Sequence, residues 1–144
     1  MAASNKETAL AYADVMWGQQ DLERGLAYLT PELAASENVA HVTELFDAFS
    51  DLGFDILEPG PIAEGDLVVL RVAVHGTHDR AEFAGMQPSG KQMRWESIRI
   101  FRFAHGKIAE TWAMQDRLGL LEQLGAIESR AGTVHWAAGG NRPS

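Results

Sequence analysis

From Met93 to Phe103 the residues alternate as a strand's do, Ala104-His105-Gly106-Lys107 reads as a tight reversal, and Ile108 to Asp116 alternates again before an amphipathic run that ends at Gly125. Period-two alternation on both sides of a glycine-bearing reversal specifies a β-hairpin, and the run after it a helix. A hairpin of this length sets two faces at once, because successive side chains point to opposite sides of a strand. Which residues share a face decides whether the chain has an acid/base site.

With His105-Gly106-Lys107 as a three-residue loop, Ala104 faces Ile108 and the pairs Arg102/Glu110, Ile100/Trp112 and Ile98/Met114 fall opposite one another. The first is a favourable cross-strand charge pair and the others are apolar. The same face continues to Glu96 opposite Asp116, a like-charge pair that costs free energy unless one carboxyl is protonated or the strands have splayed. The other face carries Trp95, Ser97, Arg99, Phe101 and Phe103 opposite Ala109, Thr111, Ala113 and Gln115. It is apolar near the turn and polar farther in.

Upstream, helices come first. Ser4-Asn5-Lys6-Glu7 has the form of a capping box, with Leu10, Ala13, Met16 and Trp17 at helical spacing before a stop near Gly18. Asp21 caps a second short helix through Leu29, and Pro31 separates it from a third that begins near Ser36 and aligns Val39, Val42, Leu45, Phe46 and Phe49, with Gly53 as its stop. Phe54 to Glu58 reads as a short strand that Pro59-Gly60-Pro61 breaks and Ile62 resumes. Leu67 to His75 is the strongest strand by β-branched content. Helices ahead of an antiparallel meander give an α+β class, N-terminal helices packed on a curved sheet with a cone-like cavity between. The expected organisation is one domain over 1–128 and a mobile tail over 129–144.

The chain has 144 residues, no cysteine and a formal net charge of −8. That length buries a core without staples, and the absent thiols rule out disulfides, a thiolate nucleophile and a cysteine zinc site. Excess negative charge argues against a nucleic-acid partner. No apolar run approaches the roughly 18 residues of a membrane span, so a cytoplasmic protein with a small ligand is expected.

On the polar face, Arg99 is placed to orient a substrate carbonyl or carboxylate or to stabilise an enolate-like oxygen, unless Asp55 or Asp47 pairs with it for structural reasons. Ser97, Thr111 and Gln115 offer hydrogen bonds to a polar substrate, or to neighbouring backbone. Asp116 with Glu96 reads either as a carboxylate pair with one raised pKa or, for Asp116, as a helix cap. His75 and His78 lie three apart on a strand and point to opposite faces, so they do not share a metal; His78 is either a pocket acid or base or a solvent-facing or turn-capping histidine. Trp17, Trp95, Phe83, Phe101 and Met86 belong to the core, whose open end in a cone is the pocket. Ile98, Ile100, Trp112 and Met114 form an apolar strip on the opposite face and read as a dimer surface.

Taken together, Gly76-Thr77-His78, Phe83-Ala84-Gly85-Met86-Gln87-Pro88-Ser89-Gly90-Lys91, the run Ile98 to Phe103, Gly106-Lys107-Ile108, Glu110, Trp112, Asp116 and Leu120 to Gly125 resemble the SnoaL-like polyketide cyclases of the NTF2-like superfamily. The resemblance spans about 65–125. It implies a cone fold, commonly a homodimer through the outer sheet face, a deep pocket that folds a polyketide, and neither cofactor nor metal. It also implies a catalytic Asp and His whose places fall here on Ala113 and Arg99. Neither residue can shuttle a proton near neutrality, since alanine does not titrate and a guanidinium stays protonated. The register sets 99 opposite 113, so both replacements fall in one site.

Three functions remain in view. The first is a polyketide-tailoring cyclase that closes a ring without the Asp/His aldol mechanism, as in a concerted cycloaddition. The second is a relative of NTF2-like epoxide hydrolases, with Arg99 between two Asp. The third is a small-molecule binding dimer that performs no chemistry.

Overall fold

The structure is a computed structural model that describes residues 4–125; the expected boundary at 128 and the tail 129–144 lie outside the described residues. Helices α1 (Asn5–Ala13), α2 (Leu22–Leu26), α3 (Pro31–Ala34) and α4 (Glu37–Ala48) precede strands β1 (Gly53–Ile56), β2 (Ile62–Glu64), β3 (Leu67–Thr77), β4 (Gln92–Ala104) and β5 (Lys107–Gln115), and α5 (Arg117–Leu124) follows. The sheet is antiparallel and open, in the order β1-β3-β4-β5, with β2 pairing the start of β3 beside β1. This is the expected α+β arrangement.

Local chemistry explains most element ends. Ser4 Oγ accepts from the Glu7 amide at 3.2 Å, Asp21 caps α2, and Thr30 caps α3 ahead of Pro31 at its first turn. Such caps satisfy amides that no helical carbonyl reaches. The helix α3 was not anticipated, although Thr-Pro-Glu is a start signal. The buried side of α1 is also offset from expectation: Ala9, Tyr12, Ala13 and Met16 face the core, and Leu10 faces solvent. After Ala13 the helix widens into a π turn, Asp14–Gly18, with Gln19 N bonded to Asp14 O at 2.8 Å.

The β4–β5 turn is tighter than the three-residue loop expected. Its two residues, His105 and Gly106, have φ of +53° and +77°, the pairing that suits a two-residue hairpin. Ala104 therefore faces Lys107, and Phe103 faces Ile108. A bulge at Ala109 then restores Arg102/Glu110, Ile100/Trp112, Ile98/Met114, Arg99/Ala113 and Ser97/Gln115, the register expected beyond the turn. One difference persists: the fully buried Ile108, not Ala109, takes the inner position nearest the turn.

The core lies between the inner sheet face (Val68, Leu70, Val72, Val74, Trp95, Phe101, Phe103, Ile108) and the helices. Burial of these side chains at roughly 1.5–3 kcal/mol each is the main cohesive term. The segment after α2 adds to the β5 edge, where Thr30 N bonds Ile108 O and Ile108 N bonds Tyr28 O, both at 2.9 Å. The helices are thus tied to the sheet by backbone as well as by apolar contact.

Candidate active site

Between the inner sheet face and α1, the π turn, α3, α4 and α5 lies a cavity of about 410 Å³. Trp95, Arg99 and Phe101 of β4 with Thr111, Ala113 and Gln115 of β5 line the sheet side, and Tyr12, Met16, Trp17, Val42 and Leu45 the helical side. Asn38, His41 and Glu44 of α4 and Arg117 of α5 surround the mouth and are exposed, as are Ala113 and Gln115. Strand alternation and helix spacing together converge these residues on one space.

Arg99 is the one charged side chain in the cavity's interior among the described residues. Its guanidinium stacks on Trp17, 4.6 Å from the ring centroid. The π turn carries that indole, and π turns recur where a helix must aim a functional side chain. Trp17 is in turn braced edge-on by Phe46 at 5.9 Å. Burial lowers the Arg99 pKa from its ordinary value, opposed by the Tyr12 phenol. The cation nevertheless persists at neutral pH, because a guanidinium starts so high. No carboxylate pairs with it among the described residues: Asp55 is held on the outer face by Arg94 at 2.9 Å, and Asp47 is exposed on α4. The structural pairing considered for Arg99, and the flanking Asp that epoxide-hydrolase chemistry asks for, are therefore both missing at these positions.

Sequence reasoning passed over Tyr12, although its place in the Ala9-Tyr12-Ala13-Met16 spacing marked it as inward-facing. Burial raises its pKa, against the opposing Arg99 charge, so Tyr12 presents a neutral phenol beside the cation. Its ring also packs edge-on against Phe101 at 5.8 Å.

The remaining expected residues divide sharply. Trp17, Trp95, Phe101, Thr111, Ala113, Gln115 and Phe83 line the cavity with Arg99. Ser97 shares their face but lies beneath the wall, fully buried, its hydroxyl without a partner. Met86 pairs with Phe83 through backbone and packs on the core outside the lining set. His78 is neither solvent-facing nor in the cavity wall: it is fully buried against Phe49, with Nε2 2.8 Å from Ala81 O, pinning the loop after β3. Asp116 is the N-cap of α5, accepting from Gly119 N at 2.9 Å, while Glu96 is held by Arg71. They form no carboxylate pair. The Asp116 amide does bond the Glu96 carbonyl, which ends the hairpin there.

On the other side of the sheet Ile98, Trp112 and Met114 are 48%, 44% and 78% exposed. Arg102 lies over Trp112, donates to Asp66 and forms an ion pair with Glu110, so charge borders this strip. No helix among the described residues is long and apolar enough to cross a membrane.

Comparison with known proteins agrees with this geometry. The family model of SnoaL-like polyketide cyclases matches residues 7–124. Among solved structures, AclR of Streptomyces galilaeus, a candidate hydroxylase, superposes with a TM-score of 0.80 at 27% identity, covering 92% of this chain and 87% of that one. A SnoaL-like candidate polyketide cyclase from Jannaschia sp. CCS1 gives 0.73 at 26% identity, over 85% and 92% of the two chains. A candidate polyketide cyclase from Acidithiobacillus ferrooxidans shares the fold, with 0.72 at 24% identity over 86% and 96%. No curated protein matches. With its helices on one face of an open antiparallel sheet and a family match over most of its length, the chain belongs to the SnoaL-like polyketide cyclase family.

Proposed function

We propose that the protein closes a ring in a polyketide intermediate, folding it within the cavity while Arg99 draws negative charge from a substrate oxygen. The observation that carries this reading is the Arg99 guanidinium, stacked on Trp17 and free of any carboxylate among the described residues. A fixed cation in a cavity of low dielectric stabilises developing negative charge far better than one in water. Tyr12 adds a neutral hydroxyl donor.

The interior holds no carboxylate or imidazole among the described residues; His41 and Glu44 stand at the mouth. Ring closure without proton transfer suits such a site. In a cycloaddition two π bonds of one molecule become two carbon–carbon σ bonds, with no leaving group and no change in mass. A guanidinium on a carbonyl conjugated to one reacting partner lowers that barrier, and the cavity supplies the folded geometry. The expected setting is cytoplasmic, with a second copy of the chain covering the Ile98, Ile100, Trp112, Met114 strip.

The likeness to AclR favours a second reading, oxygenation of a similar substrate, which requires dioxygen and two electrons from an external reductant. One experiment separates the two: purified protein is given the metabolite that accumulates when its gene is deleted. A product of equal mass with more rings supports cyclisation, two more for the cycloaddition and one more for closure through a single new bond. A gain of one oxygen establishes oxygenation instead, and a gain of one water establishes hydrolysis.

A further inference from the structure

We infer that the cavity takes its ligand as a planar anion whose single negative charge is shared by two coplanar oxygens, a carboxylate or the enolate of a 1,3-dicarbonyl, gripped by Arg99. This rests on the reading of the cavity as the substrate site and adds the ligand's charge and head group.

The contrast among arginines is the first ground. Arg24, Arg71, Arg94 and Arg102 each pair with an Asp or Glu, and Arg80 and Arg117, without such a pair among the described residues, are exposed to water. Arg99, half-buried on the inner sheet face in the cavity wall, has no such partner among the described residues, in a chain with 20 acidic and 12 basic side chains. A desolvated cation is costly unless paired, so the counter-charge has to come from what enters the cavity. Tyr12 does not supply it, because burial keeps its phenol protonated.

Geometry narrows the head group. The Arg99 guanidinium carbon lies over the Trp17 ring, and none of its N–H donors is taken by a carboxylate among the described residues, so its planar fork is left for a ligand. Such a fork matches two oxygens held side by side, the pattern of a carboxylate and equally of a 1,3-dicarbonyl enolate. The flat rings of Tyr12, Trp95 and Phe101 on the surrounding walls favour a conjugated, planar body behind that head group. The net charge of −8 opposes anions in general, so affinity for this one has to reside locally, at Arg99 in the interior with Arg117 at the mouth.

The test is binding, read by titration calorimetry on the full chain, with two probe pairs. The first is 2-naphthoate and methyl 2-naphthoate. The second is 4,4,4-trifluoro-1-(2-naphthyl)butane-1,3-dione, an enolate at mildly alkaline pH whose two oxygens lie side by side, and its 2,2-dimethyl analogue, which cannot enolise. At least one anion should bind about tenfold or more tightly than its neutral counterpart, the scale of a charge-assisted hydrogen bond. The pair that shows the preference identifies which head group the site takes. Arg99→Met should bring that ratio within about twofold, and Arg99→Lys should keep part of it. Equal or tighter binding of both neutral probes overturns the inference, as does failure of both anions to bind at millimolar concentration. An unchanged ratio in Arg99→Met overturns it too. If Arg99→Met does not fold, the wild-type ratios alone decide. Because no turnover is needed, a loss of the cyclisation reading leaves this result standing, and the reverse holds as well.

Discussion

Under the proposed function Arg99, the one charged side chain in the cavity's interior among the described residues, acts on the substrate, and its replacement should separate activity from stability. Arg99→Met should lower turnover by about 10²- to 10³-fold, the usual effect of removing a charge-stabilising donor. The melting temperature should hold or rise, because an unpaired buried cation is exchanged for an apolar side chain of similar length. Turnover and thermal melts on the same preparation check both halves. Ser97 gives the opposite pattern. Its buried hydroxyl has no partner, so Ser97→Ala should leave turnover intact and raise stability by up to about 1 kcal/mol in denaturant titration. At this scale alternation along β4 and β5 is enough to put Arg99, Thr111, Ala113 and Gln115 on one face. It could not separate Ser97, beneath the wall, from Arg99, two residues on, because depth along a strand depends on what packs over it. His78 and Asp116 were legible as residues with alternatives. Their roles as loop pin and helix cap came from carbonyls and amides that only the fold brings within reach.

Among the elements, the β4–β5 hairpin was the most readable and also carried an instructive error. A two-residue turn in place of a three-residue loop would have exchanged the faces, yet the bulge at Ala109 returned the register within one pair. Apolar partners such as Ile100/Trp112 and the inward need of Arg99's face outweigh the turn in setting register. Gly106 tests the turn itself: at φ +77° Gly106→Ala should cost about 1 kcal/mol of stability, seen as a lower denaturant midpoint with activity unchanged. The α4–β1 connection is clasped to the end of β3 by two carboxylates. Thr77 donates its amide and hydroxyl to Asp51, and Ser50 does the same to Asp79. These bonds, led by the Thr77 amide for Asp51 and the Ser50 hydroxyl for Asp79, lower both pKa values. A lowered folded-state pKa contributes stability above the unfolded value that is lost as pH falls through the folded one. Asp51→Asn should therefore melt below the parent at pH 7, with the gap closing as pH drops from about 4 toward 2, a modest effect because the group is exposed. The π turn that carries Trp17 left no comparable trace, since its extra residue per turn arises from packing over the sheet.

For the whole molecule, the outer sheet strip and the cavity are the two surfaces that set behaviour. Light scattering should find a dimer, and Trp112→Glu should give monomers, because a charge in an apolar interface is poorly compensated. A parent protein that is monomeric at high concentration would remove the strip from the proposed function. On the inner side, Ala113 faces Arg99 across the β4–β5 ladder and is exposed to the cavity. Ala113→Phe should block ligand binding while shifting the melting temperature by only a few degrees, since its ring has open space to occupy.

Period-two strands, capped helices and the order helices-then-meander are properties of neighbours along the chain, and so class, register and the shared face of Arg99 and Ala113 could be read from the residues in order. The resemblance to the SnoaL-like cyclases could be read the same way, because it resides in short runs such as Gly106-Lys107-Ile108. The cavity could not. It exists because α1, a π turn and α4 meet the sheet at one place, which sets Tyr12 and Trp17 against Arg99 from more than 80 residues away and leaves that guanidinium without a carboxylate. Contact between such distant residues is a matter of packing in three dimensions, and it is that contact which turns an arginine on a strand into a candidate catalytic group.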